Sequence, residues 1–257
     1  MVLRLIMGVF AFAIFANRPL SADIWISGHG DIGVGLDGNS LHMHLHFEDN
    51  ATGVGGTIDA GEYESTDHVI GVAGPSSVRA ADPKWSFIGA ATDNVWFLPQ
   101  SIDPAKPYVG FGLEELSVGD WNGNLTWTLN AVISSPAGSN FSLWNNNAFG
   151  DPMVRFATTD GISSADQFTQ APEGHEHFNI AFTREGTYQI ELGISGTHNT
   201  LGLLSDSAVY TFQVGTISAV PEPTSVLLVS SICGIAATLR IRKGWKKSRK
   251  KSLAGSF

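Results

Sequence analysis

The sequence predicts an all-β fold, an antiparallel β-sandwich or two small sandwiches joined near residues 117–124. Short runs of β-branched and aromatic residues recur along the chain, and clusters of Gly, Asn, Asp and Pro separate them. Between these clusters we find no amphipathic helical pattern of any length. The predicted strands cover residues 24–27, 33–36, 41–47, 69–73, 94–98, 108–113, 125–133, 141–144, 153–158, 177–182, 187–195 and 209–214.

The first element along the chain is a predicted secretory signal peptide, residues 1–22. Arg4 precedes an apolar stretch at 5–16, and Leu20-Ser21-Ala22 offers small residues for cleavage before Asp23. We therefore exclude this segment from the fold and assign residues 23–215 to the β-sandwich body.

The last element, residues 216–257, carries the pattern of a membrane-crossing tail. The motif Val220-Pro221-Glu222-Pro223 precedes an apolar run at 224–239 and a basic tail at 240–251. Its 16 apolar residues would span about 24 Å as a helix, against the ~30 Å core of a bilayer. The basic tail favours the cytoplasmic side, so everything before it is predicted to be exported. A plain single-pass anchor is the alternative.

The charge of the body excludes some partners. From residue 23 to residue 223, five basic residues face all 24 acidic residues, a formal net charge of −19. Such a body repels nucleic acid and anionic lipid and attracts cations. The single cysteine, Cys233, lies in the C-terminal apolar run, so the body has no disulfide and no thiol ligand.

The histidines form the most informative pattern within the body. Three of them alternate with apolar residues on a predicted strand, in the order His42, Met43, His44, Leu45, His46 and Phe47. The imidazoles therefore share one face, with neighbours roughly 6.6 Å apart, and the apolar side chains face the core. Two imidazoles at this spacing can bind one ion, so the third supports them or begins a second site.

A second pair, His175 and His177, repeats the spacing beside another predicted strand. If the two strands are neighbours, His44, His46, His175 and His177 converge on one divalent ion. His42 and His29 lie close enough to assist, and Glu48 or Glu176 is available to accept an imidazole N–H. Zinc is our first choice of metal because imidazole suits it, while Cu²⁺, Ni²⁺ and Co²⁺ stay open.

The sequence predicts no enzyme. A nucleophile elbow, an H-E-x-x-H helix and a phosphate-binding loop are all absent from it. Two classes of function stay open, a metal-binding surface protein and a structural or adhesive extracellular matrix protein without a metal-handling role. Exposed tryptophans would favour carbohydrate contact as a third possibility, but Trp96, Trp127 and Trp144 lie in strand-like runs and are predicted to be core.

The tail resembles the PEP-CTERM sorting signals of Gram-negative bacteria over Val220-Pro221-Glu222-Pro223 and the apolar run, to about Arg242. The resemblance implies an exosortase-type enzyme as partner and cleavage near the motif. The protein would be anchored in the inner membrane in transit and then reach the cell surface or the medium.

The body resembles the choice-of-anchor M family of bacterial surface proteins. The similar stretches are GHGDIGVGLDGNSLHMHLHFE, ADPKWSFIGA, VWFLPQSIDP, VGFGLEEL, FSLWNNNAFGDPMVRFATTDG and APEGHEHFNIAFTREGTYQIELGISG. The last of them also looks like the short actinobacterial surface-anchored domain. The resemblance implies metal handling at the cell surface, accessory to a metal-uptake transporter.

Overall fold

The computed structural model describes residues 22–217, whose regular secondary structure is almost all β-strand. The strands are β1 (Asp23–Asp37), β2 (Ser40–Phe47), β3 (Thr52–Gly53), β4 (Gly56–Thr57), β5 (Gly61–Tyr63), β6 (His68–Ala73), β7 (Ser77–Val78), β8 (Asn94–Leu98), β9 (Pro107–Gly112), β10 (Leu125–Ser134), β11 (Phe141–Asn146), β12 (Pro152–Ala157), β13 (Gln167–Gln170), β14 (His175–His177), β15 (Asn179–Phe182), β16 (Gly186–His198) and β17 (Gly202–Gly215). Two 3₁₀ turns cover Pro83–Trp85 and Val118–Asp120. The all-β prediction is confirmed.

The predicted membrane and targeting segments lie outside this part of the chain. The signal peptide falls outside it apart from Ala22, as do the motif at 220–223, the apolar run at 224–239 and the basic tail at 240–251. Among residues 22–217, no helix has the length and apolarity needed to cross a bilayer.

The strands form two sheets. The larger has 12 strands and follows the path β13-β10-β16-β17-β6-β1-β2-β5, with β9 and β14 branching from β1 and with β3 and β4 at its margin. The smaller has five strands, β12-β11-β15-β8-β7, and is antiparallel throughout. The larger sheet is mixed, because β1 pairs in parallel with β6 and β9, and β6 with β17. The predicted antiparallel pairing therefore holds in the smaller sheet but not throughout the larger one, because the long connections between these strands let the chain return in the same direction.

Strand β1 belongs to two parts of the larger sheet. Its first residues pair with β6, while the part from Gly28 onward pairs with β9 and β2. Gly28 has φ of +87°, and a methyl group there would collide with the backbone of Asn50. The sequence predicted two separate strands here, 24–27 and 33–36, with the glycine-rich segment 28–32 between them. The strand instead bends at Gly28 and continues, because glycine adopts this conformation without strain.

One hydrophobic core joins the inner faces of both sheets. Its largest fully buried side chains are Trp25, Trp127, Tyr188, Tyr210, Phe47, Phe111, Phe156, Phe178, Phe182 and Phe212. Burying each of these removes enough apolar surface to stabilise the fold by roughly 1.5–3 kcal/mol before entropy is counted. The described residues group as one unit around this core rather than as two separate sandwiches.

Two core predictions are confirmed. Trp96, Trp127 and Trp144 are buried, as their strand-like surroundings indicated. On β2 the apolar residues at 43, 45 and 47 are also buried, which places the three histidines of that strand on its opposite face.

Candidate metal centre

One face of the larger sheet gathers histidines and carboxylates. The strands β5, β2, β1, β9 and β14 adjoin in that order, and the register places His46 beside Asp31, Asp31 beside Gly110, and Gly110 beside His177. Because cross-strand partners point to the same side, these residues and those two positions away share one face. That face carries Glu62, His42, His44, His46, His29, Asp31, His175 and His177.

Glycines in the middle of this face make room for the long side chains. Gly33 and Gly35 on β1, and Gly110 and Gly112 on β9, present no side chain to it. A methyl group at Gly33 would lie 2.7 Å from His44 Nε2, and one at Gly110 would collide with Asp31 and His175. The imidazoles and carboxylates therefore lean over the glycines and meet above them.

Four residues form the main candidate centre: His29 and Asp31 of β1, and His175 and His177 of β14. One ligand atom from each lies within 4.8 Å of all the others. Asp31, only 4% exposed, is central: its Oδ1 lies 2.9 Å from His175 Nε2 and 3.3 Å from His29 Nε2. Atoms bound at about 2.0–2.2 Å to one tetrahedral ion would lie roughly 3.3 Å apart, so these separations suit a shared metal.

An outer acceptor holds the far nitrogen of each imidazole in this centre. His29 Nδ1 lies 3.2 Å from Glu48, and His175 Nδ1 lies 2.9 Å from Glu114. His177 donates from Nδ1 to the carbonyl oxygen of Val109 at 3.0 Å. With Nδ1 engaged, Nε2 is the nitrogen of each ring that can bind a metal, the arrangement found around metal-binding histidines. Glu48 is an acceptor as predicted, whereas Glu114 and not Glu176 serves His175.

The pKa values show how strongly these groups are coupled. Hydrogen bonds to Asp31 and Glu114 raise the pKa of His175 to about 10, although burial opposes the shift. The hydrogen bond to Asp31 likewise raises the pKa of His29. Burial alone would raise the pKa of Asp31, but the hydrogen bonds from His175 and His29 outweigh it and hold that pKa well below its usual range. A cation is thus strongly favoured beside Asp31.

His177 behaves in the opposite way. Burial lowers its pKa to about 4, against the smaller opposing effect of the hydrogen bond to Val109. Its ring stacks on Tyr108 with centroids 3.6 Å apart and planes 8° from parallel, which fixes its orientation. His177 is therefore a neutral, oriented imidazole at neutral pH, the form that binds metals.

A second group on the same face consists of His44, Glu62 and Glu115. Their ligand atoms also lie within 4.8 Å of one another. His44 is 1% exposed and lies 3.0 Å from Glu115 through Nε2, while both glutamates are exposed. His42 stacks on His44 with ring centroids 5.6 Å apart, and His46 lies 6.4 Å away on the other side.

The structure does not form the single site predicted from the sequence. Strands β1 and β9 separate β2 from β14, a distance of three strand spacings or about 14 Å. His44 and His46 therefore do not join His175 and His177. His29, expected only to assist, occupies the main centre, and His42 lies beside the second group.

The sequence analysis assigned only histidines as candidate metal ligands and no carboxylates. Asp31 follows His29 at the same two-residue spacing that identified the histidine pairs, so extending the alternation to mixed His and Asp would have found it. Glu114 and Glu115 follow the Gly-Phe-Gly segment of β9 after one residue, Leu113. Adjacent glutamates are common on acidic surfaces, and local sequence does not distinguish these two.

Comparison with models of protein families, with curated proteins and with solved structures gives no match for this chain in any of the three. The class of the protein therefore follows from its own geometry. It is an all-β protein with a histidine and carboxylate group that could hold a metal ion.

Proposed function

We propose that this protein binds a divalent transition metal, with zinc the first choice, through His29, Asp31, His175 and His177. The observation that carries the proposal is the orientation of the three imidazoles. Each has its Nδ1 beside an outer acceptor, and the Nε2 atoms of His29 and His175 lie 3.3 and 2.9 Å from the buried Asp31 carboxylate. A set of three nitrogens and one oxygen suits zinc, since imidazole and carboxylate both bind it at about 2.0–2.2 Å.

The ligand count supports capture or storage rather than catalysis. Catalytic zinc sites usually keep three protein ligands and leave the fourth position to water. Here four protein groups would complete a tetrahedral set around one ion, which would leave no position for a water nucleophile. We accordingly propose a non-enzymatic role.

The proposed place of action is outside the cell. The signal-like N-terminus, the tail that resembles a PEP-CTERM signal and the strongly acidic body all favour export through the inner membrane. The resemblance to the choice-of-anchor M family, with its β-sandwich body, favours delivery of the captured ion to a metal-uptake transporter.

Intact-mass measurement of the mature protein tests the export route. Cleavage near Ala22 and near Pro221-Glu222-Pro223 is expected, and a product that retains Lys247 would reduce the tail to a plain anchor.

Metal analysis and zinc titration test the binding function. Purified without chelators, the wild-type protein should contain zinc, and its metal-free form should bind zinc tightly in calorimetry. His177→Gln removes one ligand of the main centre and should weaken this tight binding at least tenfold. His198→Gln is the matched control, because His198 lies outside both groups.

The competing metals are part of the same test. If the protein preferentially retains Cu²⁺, Ni²⁺ or Co²⁺, the assignment of the metal centre stands and only the identity of its ion changes, since all three metals bind imidazole. Equal tight binding by wild type and His177→Gln would overturn the proposal and leave the structural matrix role in its place.

A further inference from the structure

The second group on the histidine face contains a buried nitrogen that requires a partner. His44 Nδ1 lies 3.4 Å from the carbonyl oxygen of His42, which only accepts hydrogen bonds, so this long contact favours the ring hydrogen on Nδ1. The other nitrogen, Nε2, is then a lone-pair atom, buried and without a hydrogen-bond partner among the described residues. Leaving such a group unsatisfied is costly.

The nearest group to that nitrogen is itself an electron-pair donor. Glu115 Oε1 lies 3.0 Å from His44 Nε2, outside hydrogen-bonding geometry. A lone pair and a carboxylate at this distance repel each other unless a proton or a metal cation lies between them. The poor hydrogen-bonding geometry disfavours a bridging proton and favours a metal cation that binds both atoms. The separation is close to the roughly 3.3 Å between two ligands of one tetrahedral ion.

Neighbouring strands complete the set. Glu62 on β5 pairs in register with His46, and its carboxylate lies within 4.8 Å of the ligand atoms of His44 and Glu115. Gly35 lies beneath Glu115, and a methyl group there would be 2.5 Å from Oε2. The missing side chain therefore lets Glu115 fold back over β1 toward His44.

We propose that His44, Glu62 and Glu115 form a second divalent-cation position, separate from the main centre. One imidazole nitrogen and two carboxylates make this set richer in oxygen than the main centre, so it suits Zn²⁺, Mn²⁺ or Fe²⁺. Its two exposed glutamates leave room for water in the remaining coordination positions. This position binds its ion more weakly and exchanges it faster than the main centre does.

The two positions lie on one continuous face. His46 of β2 stands between them, with Asp31 of the main centre on one side in the sheet register and Glu62 on the other. The neighbouring strands are about 4.8 Å apart, so the positions are separated by on the order of 10 Å. An ion at the second position therefore lies next to the main centre and can pass from the second position to that centre.

Zinc titration of the full chain, with ligand-specific variants, tests the second position. Wild type should bind two equivalents, one tight and one weak. The double variant Glu62→Gln and Glu115→Gln should keep the tight equivalent and lose the weak one. Its matched control, Glu185→Gln with Glu191→Gln, removes the same charge outside both groups and should keep two equivalents. His177→Gln should keep only the weak equivalent.

The outcomes separate this inference from the proposed function. A wild-type stoichiometry of one, lost in His177→Gln, overturns the second position and leaves the main centre standing. Two equivalents that survive the Glu62 and Glu115 changes place the second ion elsewhere and also overturn the assignment. A single equivalent that survives His177→Gln but not Glu115→Gln overturns the main centre instead. Unchanged circular dichroism in each variant shows that binding and not folding was altered.

Discussion

At the scale of single residues, an absent side chain shapes the candidate metal centre as much as the candidate ligands do. Gly110 lies directly below the point where Asp31 and His175 meet, and a Cβ there would overlap both. Four ligands of correct chemistry would therefore not converge if residue 110 carried even a methyl group. A search for ligand residues alone does not find this requirement, whereas the Gly-x-Gly spacing of β9 shows it.

The first prediction concerns Gly110→Ala. The added methyl group should push Asp31 and His175 apart and weaken zinc binding at the main centre by at least about tenfold, the size of a lost supporting contact. Calorimetric titration measures the change. Gly119→Ala is the control, because that position is exposed with no atom within 4 Å of the new group. Equal loss in both variants, or no loss in either, would contradict the argument.

The second prediction concerns the protons that the main centre releases when zinc binds. With its pKa raised to about 10, His175 is charged in the metal-free protein at pH 8, and metal binding requires the neutral ring. Zinc binding at pH 8 should therefore release about one proton from His175, and affinity should rise as pH approaches 10. Titrations in two buffers of different ionisation enthalpy measure the release. His175→Gln should release fewer protons, and heats that do not depend on the buffer would refute the prediction.

The same shift fixes the sign of a stability effect in the metal-free protein. Because the pKa of His175 is higher in the folded chain than its usual 6.5, the charged ring stabilises the fold fully below pH 6.5. This contribution is lost as pH rises from 6.5 through about 10. His177, with its pKa lowered to about 4, acts in the opposite sense: its contribution is present above pH 6.5 and is lost as pH falls toward 4.

At the scale of elements, the alternation of apolar and polar residues predicted which face of a strand is buried, but it did not predict which strands pair. The pattern of residues 42–47 correctly placed the histidines opposite a buried apolar row. All 12 predicted strands overlap strands of the structure, while β5 was missed and β14 was reached only at His177 by the strand predicted at 177–182, because two or three residues carry no periodic signal. Since Glu62 and His175 lie on those short strands, the missed elements concealed part of each candidate site.

Strand β1 provides the third prediction. Gly28 combines a positive φ with close approach to the backbone of Asn50, whereas Gly38 has a positive φ and open space around it. Gly38→Ala should cost only conformational strain, about 1–2 kcal/mol. Gly28→Ala should cost about 1–3 kcal/mol more, because the collision forces the backbone to shift. Urea denaturation measures both free energies of unfolding, and similar losses would show that the bend at Gly28 is not tightly packed.

At the scale of the whole molecule, the sequence predicts the β-strands and their buried faces but not the order of the strands in the sheets. The predicted four-histidine site assumed that the strands of the two pairs were neighbours, and β1 and β9 lie between them. Strand order depends on packing between segments more than a hundred residues apart, such as β1 and β14, and alternation within one strand carries no information about it. The sequence prediction therefore combined histidines of two separate groups into one site.

The fourth prediction follows from the same long-range pairing. Strand β14 has three residues and, in the described part of the sheet, pairs only with β9. A metal bound by His175 and His177 of β14 and by His29 and Asp31 of β1 would hold three strands together across β9. Because the unfolded chain does not present this set, zinc at one hundred times its dissociation constant should raise the free energy of unfolding by about 2.7 kcal/mol.

Urea denaturation of the full chain with zinc and with a chelator measures this stabilisation, and hydrogen exchange locates it. Protection should increase most at the amides of β14, since that strand has the fewest partners to lose when it opens. At the same zinc concentration His177→Gln, whose affinity is at least tenfold weaker, should show at most about 1.4 kcal/mol of stabilisation, while the matched His198→Gln variant should respond like wild type. Equal stabilisation of all three proteins would mean that zinc acts elsewhere on the acidic surface, because His177→Gln removes a ligand of the main centre.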